Sequence, residues 1–502
     1  MAEKYQKFRE LTGEIFDLDA VVSVLGWDQQ TYMPPGGAQV RAMHIATVSR
    51  LWHEKLTGDE YSAALEAARE ETADLDPDSD EVRVVRYMQR EVDKWIKVPS
   101  EWVNEFKRVT TLAHQAWEEA RAQDDFAHFQ PLLEEIVKLR RQYVEYFAPY
   151  DHPYDPLLNY FEPGMKTSEV KSVFDELRPR QVELVQEITE RGLPVDDAVL
   201  HQDFEESKQW DFGVEVIKAL GYDFERGRQD KAAHPFTTSF GIGDVRITTR
   251  FDPKYLGTAL FGTIHEGGHA MYGQGMSPSL DRTNLIDGAS YGIHESQSRM
   301  MENLVGRSRP FWIAFYPRLQ EYFPSQLGEL DLETFYRAIN KVKPSLIRVE
   351  ADEATYNLHI MLRFEIEIAL AENKISVADL PEVWNSKMQE YLGLTPPNDA
   401  KGVLQDVHWS SGYIGYFATY SLGNLMASQF WAKMEEDIPD LTNQIERAQF
   451  AEMLSWLREN IHQHGAKFEP MELLQRVTGN TLSVEPYLRY LRAKYEDIYK
   501  LA

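Results

Sequence analysis

Four long stretches of this chain repeat apolar residues at helical spacing, and that periodicity restricts the fold to a mainly α-helical body. The stretches run from about Lys4 to Glu54, Asp80 to Ile96, Glu101 to Ala122 and Phe126 to Phe147. Their charges alternate in sign, as on solvated helix faces. Met33-Pro34-Pro35, Tyr150 to Pro156 and Leu394-Thr395-Pro396-Pro397 are the main breaks, because proline cannot supply the amide proton that a helix interior requires. None of the breaks reads as a flexible linker, and no internal repeat is found. The expected organisation is one unit over residues 1–502, with 1–230 as a helical cover and 231–502 as the lobe that carries the chemistry.

One segment departs from the helical pattern. Asp244-Val245-Arg246-Ile247-Thr248-Thr249-Arg250 alternates polar and apolar residues, as a half-buried strand does. It predicts a small β-sheet with Asp244, Arg246, Thr248 and Arg250 on one face. As an edge strand it could pair with an extended peptide; the plainer reading is a structural hairpin.

Just beyond it lies His265-Glu266-Gly267-Gly268-His269. Two histidines four apart on a helix leave from one face and can hold one metal ion, and the glutamate beside the first can reach a water on that ion. This is the HExxH arrangement of zinc peptidases, in which the glutamate is the general base. The local sequence supports a helix. Asp252-Pro253 makes a good start, Leu256, Leu260, Ile264 and Met271 recur at helical spacing, and Gly273 and Gly275 supply a stop. Each interior glycine costs roughly 1 kcal/mol. Gly267 and Gly268 therefore point either to close packing between two elements or to a bare face open to substrate or to a second metal-bearing helix.

A catalytic metal of this kind needs a third protein donor and one open position. Tyr272 and Gly275 stand where a third histidine pattern would continue, so the donor must come from elsewhere. A loop rich in Gly, Ser, Pro and Asp, Gly273 to Gly292, can reverse the chain before a second helix over Ile293 to Val305. Glu295 on that helix is the expected third ligand. His294 is its rival, and adjacent helical positions point about 100° apart, so only one of the two should face the metal.

Several separated motifs resemble the thermostable metallocarboxypeptidases typified by carboxypeptidase Taq. They are His234-Pro235-Phe236, Asp244 to Thr248, His265 to His269, His294-Glu295-Ser296-Gln297-Ser298, Ile347-Arg348-Val349-Glu350-Ala351-Asp352, and Gly402-Val403-Leu404-Gln405-Asp406-Val407-His408-Trp409. Leu25-Gly26-Trp27-Asp28-Gln29 also looks like that family. The resemblance spans nearly the whole chain. It implies a large helical, two-lobed fold with a deep cleft, and zinc (or cobalt in its place) on His265, His269 and Glu295. It further implies Glu266 as the base, peptide substrates and a homodimer.

Further roles follow from that likeness and from chemistry. His408 to Tyr420, with its spaced tyrosines, resembles the transition-state segment of distantly related helical dipeptidases; on that likeness Tyr416 is the oxyanion donor, His408 holds the substrate or intermediate, and Tyr413 touches substrate. A carboxypeptidase must also recognise a terminal carboxylate, which suits the planar fork of arginine. Arg348 and Arg246 are the candidates, Arg348 preferred. Unaided, Arg348 and Asp352 would read as a surface i,i+4 ion pair. Asp287, Glu302 and Asp352 are candidate partners for the free N–H of the metal histidines, and His234 either sits near the site or forms a turn.

The formal charge of -28 disfavours nucleic acid and anionic membranes as partners. The absence of cysteine excludes disulfides and thiolate ligands. The start, Met1-Ala2-Glu3-Lys4-Tyr5, lacks the apolar core of a signal peptide, and no apolar run approaches the roughly 20 residues that span a bilayer. A cytoplasmic enzyme is the expectation. The reading is a zinc carboxypeptidase. The alternatives are an oligopeptidase or dipeptidase on the same scaffold, and a non-catalytic helical binding protein with a structural metal.

Overall fold

The computed structural model describes residues 3–501. The N-terminal helices are α1 (Glu3–Thr31), α2 (Ala38–Leu56), α3 (Asp59–Thr72), α4 (Asp80–Lys97), α5 (Ser100–Gln123) and α6 (Phe126–Glu145). The first periodic stretch divides into α1 and α2 at a tight turn over Pro35–Gly37. Side-chain caps set two of the starts: Ser79 accepts from the Val82 amide, and Asp125 from that of His128. A short α7 (Asp155–Leu158) follows, then α8 (Thr167–Arg191) and α9 (Glu206–Leu220).

A three-stranded sheet comes next: β1 (Gln229–Lys231), β2 (Thr237–Ser239) and β3 (Val245–Thr249). The strand order is β1-β3-β2, with β1 parallel and β2 antiparallel to β3. The strand expected over 244–250 is therefore real but central. Both its edges are used, and the free edges belong to β1 and β2, which corrects the edge-strand expectation.

The sheet packs on α10 (Leu256–Gln274), and α10 packs on α11 (Tyr291–Arg299), which continues as a π-helical turn over Met300–Val305. α10 begins three residues later than Asp252-Pro253 suggests. Pro253 O accepts the Phe204 amide at 2.8 Å, which ties this stretch to the chain ahead of α9. Asp252 Oδ1 instead closes a local turn on the Lys254 amide at 2.8 Å.

The remaining helices are α12 (Arg309–Tyr322), α13 (Pro324–Leu327), α14 (Leu332–Ile339), α15 (Glu353–Ala371), α16 (Leu380–Leu392), α17 (Ala418–Asp437), α18 (Leu441–Glu446), α19 (Ala451–Asn460), α20 (Pro470–Thr478) and α21 (Glu485–Tyr499). α17 lies along α11, and α15 lies between α8 and α17. Polar contacts cross the chain: in the interior Gln181 Nε2 donates to Ala354 O at 2.6 Å, and nearer the surface Arg83 forms an ion pair with Glu472 at 2.8 Å. No described helix is long and apolar enough to cross a membrane.

Candidate metal centre

α10 and α11 approach closely because glycine faces the contact. A Cβ on Gly268 would lie 2.6 Å from the Gln297 carbonyl oxygen and 2.7 Å from Ser298 Cα, distances no side chain tolerates. Gly267 faces Ile217 of α9, whose Cγ2 lies 3.1 Å from its would-be Cβ. Neither glycine opens the helix to substrate. They serve close packing, and for Gly268 the neighbour is the second donor-bearing helix.

That approach gathers His265, His269 and Glu295, whose ligand atoms all lie within 4.8 Å of one another. Glu295 Oε2 is 3.6 Å from His265 Nε2 and 3.4 Å from His269 Nε2. Two donors each about 2.0–2.1 Å from a tetrahedral ion stand roughly 3.3–3.4 Å apart, so the spacing suits such an ion. Both histidines have Nδ1 occupied: His265 Nδ1 meets Glu302 Oε2 at 2.9 Å, and His269 Nδ1 meets His294 Nδ1 at 2.6 Å. Each therefore turns Nε2 to the common point, the arrangement that second-sphere partners impose on metal histidines. His294 buttresses His269, and burial keeps its own pKa low. Among the three acids weighed as partners, Glu302 reaches a histidine. Asp287 has its charge near His294, and Asp352 caps α15 through the amides of Ala354 and Thr355 at 3.0 and 3.1 Å.

Glu295 is gripped from every side. Arg299, one turn on, donates to Oε1 at 2.6 Å, and Ser298 Oγ donates to Oε2 at 3.0 Å. Burial opposes its charge, but Arg299 and the two histidines outweigh burial and hold its pKa well below the usual carboxylate range. On the far flank, a Cβ on Gly423 of α17 would come within 2.7 Å of Glu295 Cγ. The fit to a divalent ion is good: three ionised or neutral N/O donors, oriented by buried partners. Glu266 stands beside them, buried, with Oε2 accepting from Thr237 Oγ1 of β2 at 2.6 Å. Burial pushes its pKa up.

The segment after residue 406 reaches the same region. The ring of Tyr416 stacks on His408 at 5.3 Å and meets Tyr420 edge-on at 5.2 Å. The Glu295 charge acts on Tyr416, and burial drives the phenol's pKa far up, so it remains a proton donor. His408 Nε2 lies 3.3 Å from Tyr420 OH, and burial lowers its pKa to about 3, leaving it neutral. Tyr413 is 47% exposed, against Phe161 and Tyr416.

The two arginines differ. Arg348 is buried, donating through Nε to Asp406 Oδ1 at 2.9 Å and through Nη1 to Tyr356 OH at 3.0 Å. Its partner is Asp406 rather than Asp352. Arg363 shares that aspartate at 2.6 Å, so two guanidiniums face one carboxylate. Arg246 is neutralised by Asp244 at 2.7 and 2.8 Å and lies over the rings of Trp27 and Phe240. His234 is exposed, just ahead of β2.

Arg299, Thr237, Asp406 and Arg363 went unnoticed as site residues in the sequence. The i,i+4 spacing of Glu295 and Arg299 was the available signal for one. Asp406 sat inside a recognised motif, whereas Thr237 reaches Glu266 only through the sheet.

The sequence pattern of the carboxypeptidase Taq (M32) metallopeptidase family matches residues 7–495. Carboxypeptidase 1 of Bacillus subtilis is 41% identical over 498 residues, with 99% of each chain covered. Thermostable carboxypeptidase 1 of Thermus thermophilus is 41% identical over 504 residues, again with 99% of each covered. The crystal structure of the M32 carboxypeptidase from Deinococcus radiodurans superimposes with a TM-score of 0.96 at 41% identity, covering 99% of this chain and 100% of that one. A His-His-Glu donor group on two helices braced by glycine contacts, together with these likenesses over the full fold, means that the chain belongs to the carboxypeptidase Taq (M32) metallopeptidase family and is a metallocarboxypeptidase, a peptide hydrolase.

Proposed function

We propose that the enzyme is a zinc-dependent carboxypeptidase that removes single residues from peptide C-termini, with Glu266 activating the attacking water. The supporting observation is the convergence of His265 Nε2, His269 Nε2 and Glu295 Oε2, each oriented by a buried partner, beside a carboxylate that has no ligand duty. Zinc suits two imidazoles and one carboxylate, cobalt being the natural substitute, and when bound it supplies Lewis acidity to the water and the scissile carbonyl. Glu266 takes the water proton and passes it to the leaving amine; its raised pKa fits a group that must both accept and return a proton. Thr237 fixes one oxygen of that carboxylate through its hydroxyl. Tyr416, held protonated, donates to the oxyanion, and neutral His408 offers a further hydrogen bond.

Arg348 anchors the terminal carboxylate of the substrate. Arg348 and Arg363 against Asp406 leave one positive charge uncompensated, because His408 is neutral. Arg246 has no such surplus and, standing opposite Thr238 of β2, is the weaker candidate for substrate contact, while Tyr413 offers an exposed ring to substrate. With β3 central, the outer edge of β2, the strand whose Thr237 meets Glu266, is the one of the two free edges proposed to receive an extended peptide.

Two measurements test this. Glu266→Gln should lower kcat by about 10²–10⁴-fold with bound metal unchanged; retained hydrolysis would remove Glu266 from the mechanism. A C-terminally amidated peptide should be cut far more slowly than its free acid, and Arg348→Leu should narrow that difference. Equal cleavage of both peptides would point instead to an oligopeptidase.

A further inference from the structure

Glu162 lies in the turn after α7 and is fully buried, with 0% exposure. Its Oε1 accepts the Gly292 amide proton at 2.5 Å. Its other oxygen, Oε2, is buried without a well-formed hydrogen bond, although the Ser290 side chain is close enough to favour the ionised carboxylate. Burial raises its pKa to about 8. A carboxyl in this state is costly to the fold, since a buried unsatisfied polar atom costs about 1–3 kcal/mol. An apolar side chain of similar size would remove that unpaired oxygen but leave the buried Gly292 amide without its acceptor. Packing alone does not account for a carboxyl at this position.

The reason lies at its partner. Gly292 is the second residue of α11, the helix that carries His294 and Glu295. The first amides of a helix have no partner within it, and here each is met from outside the helix or from its cap. Tyr291 N donates to Phe161 O at 3.2 Å, Gly292 N to Glu162, and Ile293 N to Ser290 Oγ at 3.0 Å. Two of the three acceptors belong to the turn at 161–162. That turn is itself anchored: Asp155 Oδ1 accepts from Thr167 N at 2.8 Å and from Thr167 Oγ1 at 2.6 Å. The contact is also tight, since a Cβ on Gly292 would stand 2.8 Å from Glu162 Oε1. Three residues further along the helix, Glu295 presents Oε2 to His265 and His269.

We propose that Glu162 is a positioning residue for the metal centre: its bond to the Gly292 amide sets the depth and rotation of α11, and so the point at which Glu295 meets the two histidines. This rests on the reading of Glu295 as the third donor. Glu162 touches neither the metal nor the substrate.

The test compares zinc affinity, by chelator competition, and the thermal midpoint of the metal-free form for the parent, Glu162→Gln and Glu162→Leu. The glutamine oxygen can accept the Gly292 proton, so Glu162→Gln should bind zinc within about threefold of the parent. Glu162→Leu should bind about 10–100-fold more weakly, a loss larger than any fall in its metal-free midpoint accounts for, since the unpaired Gly292 amide is offset by removal of the unpaired Oε2. Zinc affinity of Glu162→Leu within threefold of the parent overturns the proposal, as does Glu162→Gln weakened as much as Glu162→Leu. If the leucine variant does not fold, Gly292→Ala displaces the same contact from the helix side. It should weaken zinc binding likewise, and unchanged affinity would overturn the idea. Glu295→Gln separates the two layers. If it leaves affinity intact, the ligand assignment itself fails; if it weakens binding while Glu162→Leu does not, Glu162 alone is wrong.

Discussion

Arg299 donates to Glu295 and lies 3.3 Å from Glu302, so one guanidinium is shared between two buried carboxylates around the histidines, Glu302 also pairing with Arg307 at 3.2 Å. Removing one partner of a buried ion pair costs about 3–5 kcal/mol, because the other charge remains. Arg299→Leu is therefore expected to lower stability by that order and metal affinity by about 10–100-fold, read by denaturant unfolding and chelator competition. Thr237→Val acts on a different property. It removes the single side-chain donor to Glu266, so kcat/KM should fall about tenfold, equivalent to ~1.4 kcal/mol, with metal affinity unchanged. Equal metal loss in both variants would contradict this division. Helix geometry converts spacing into direction, so the shared face of His265 and His269 was legible, whereas angular separation said only that one of His294 and Glu295 could face them and the family resemblance favoured Glu295. Thr237 was not readable, since it depends on β2 folding over α10.

At the scale of elements, the contact between α10 and α11 decides whether the donors meet. Gly268→Ala would gain about 1 kcal/mol of helix propensity but drive a methyl to 2.6 Å from a backbone carbonyl. Overpacking costs about 1–3 kcal/mol when neighbours cannot move, so a lower thermal midpoint and weaker metal binding are expected. Gly267→Ala meets only the Ile217 side chain, at 3.1 Å, and should leave both within error or slightly improved. The helices themselves were legible: Asp80 to Ile96 is α4 over Asp80–Lys97, and Glu101 to Ala122 is α5 over Ser100–Gln123. Long amphipathic repeats survive tertiary context. The strand was legible as a strand, but its neighbours, of three residues each, are too short to carry a period. Its central position was consequently hidden.

For the whole molecule, Glu367 is a junction. From α15 it accepts Tyr154 OH at 2.6 Å, the Gly415 amide at 3.0 Å and Trp409 Nε1 at 2.8 Å, so it ties α7 to the segment bearing His408 and Tyr416. Burial raises its pKa from 4.5 to about 7 despite those donors. The folded state thus keeps a proton that the unfolded chain releases. Its contribution is complete below about pH 4.5 and is lost as pH climbs through about 7, a change of about 3 kcal/mol. Thermal midpoints measured across that range should decline in the parent and decline less in Glu367→Gln; an identical slope would refute the assignment. Such junctions join residues hundreds of positions apart, and no local pattern in a single sequence announces them. A different consequence follows from α11 being flanked by glycine on both sides, at Gly268 and at Gly423. Backbone, which cannot swing aside, forms the walls of the donor frame, so selection among ions becomes a matter of radius. On the zinc reading proposed above, cobalt should substitute for zinc within it. Calcium, which demands six to eight oxygens at about 2.3–2.6 Å, should compete poorly even in large excess.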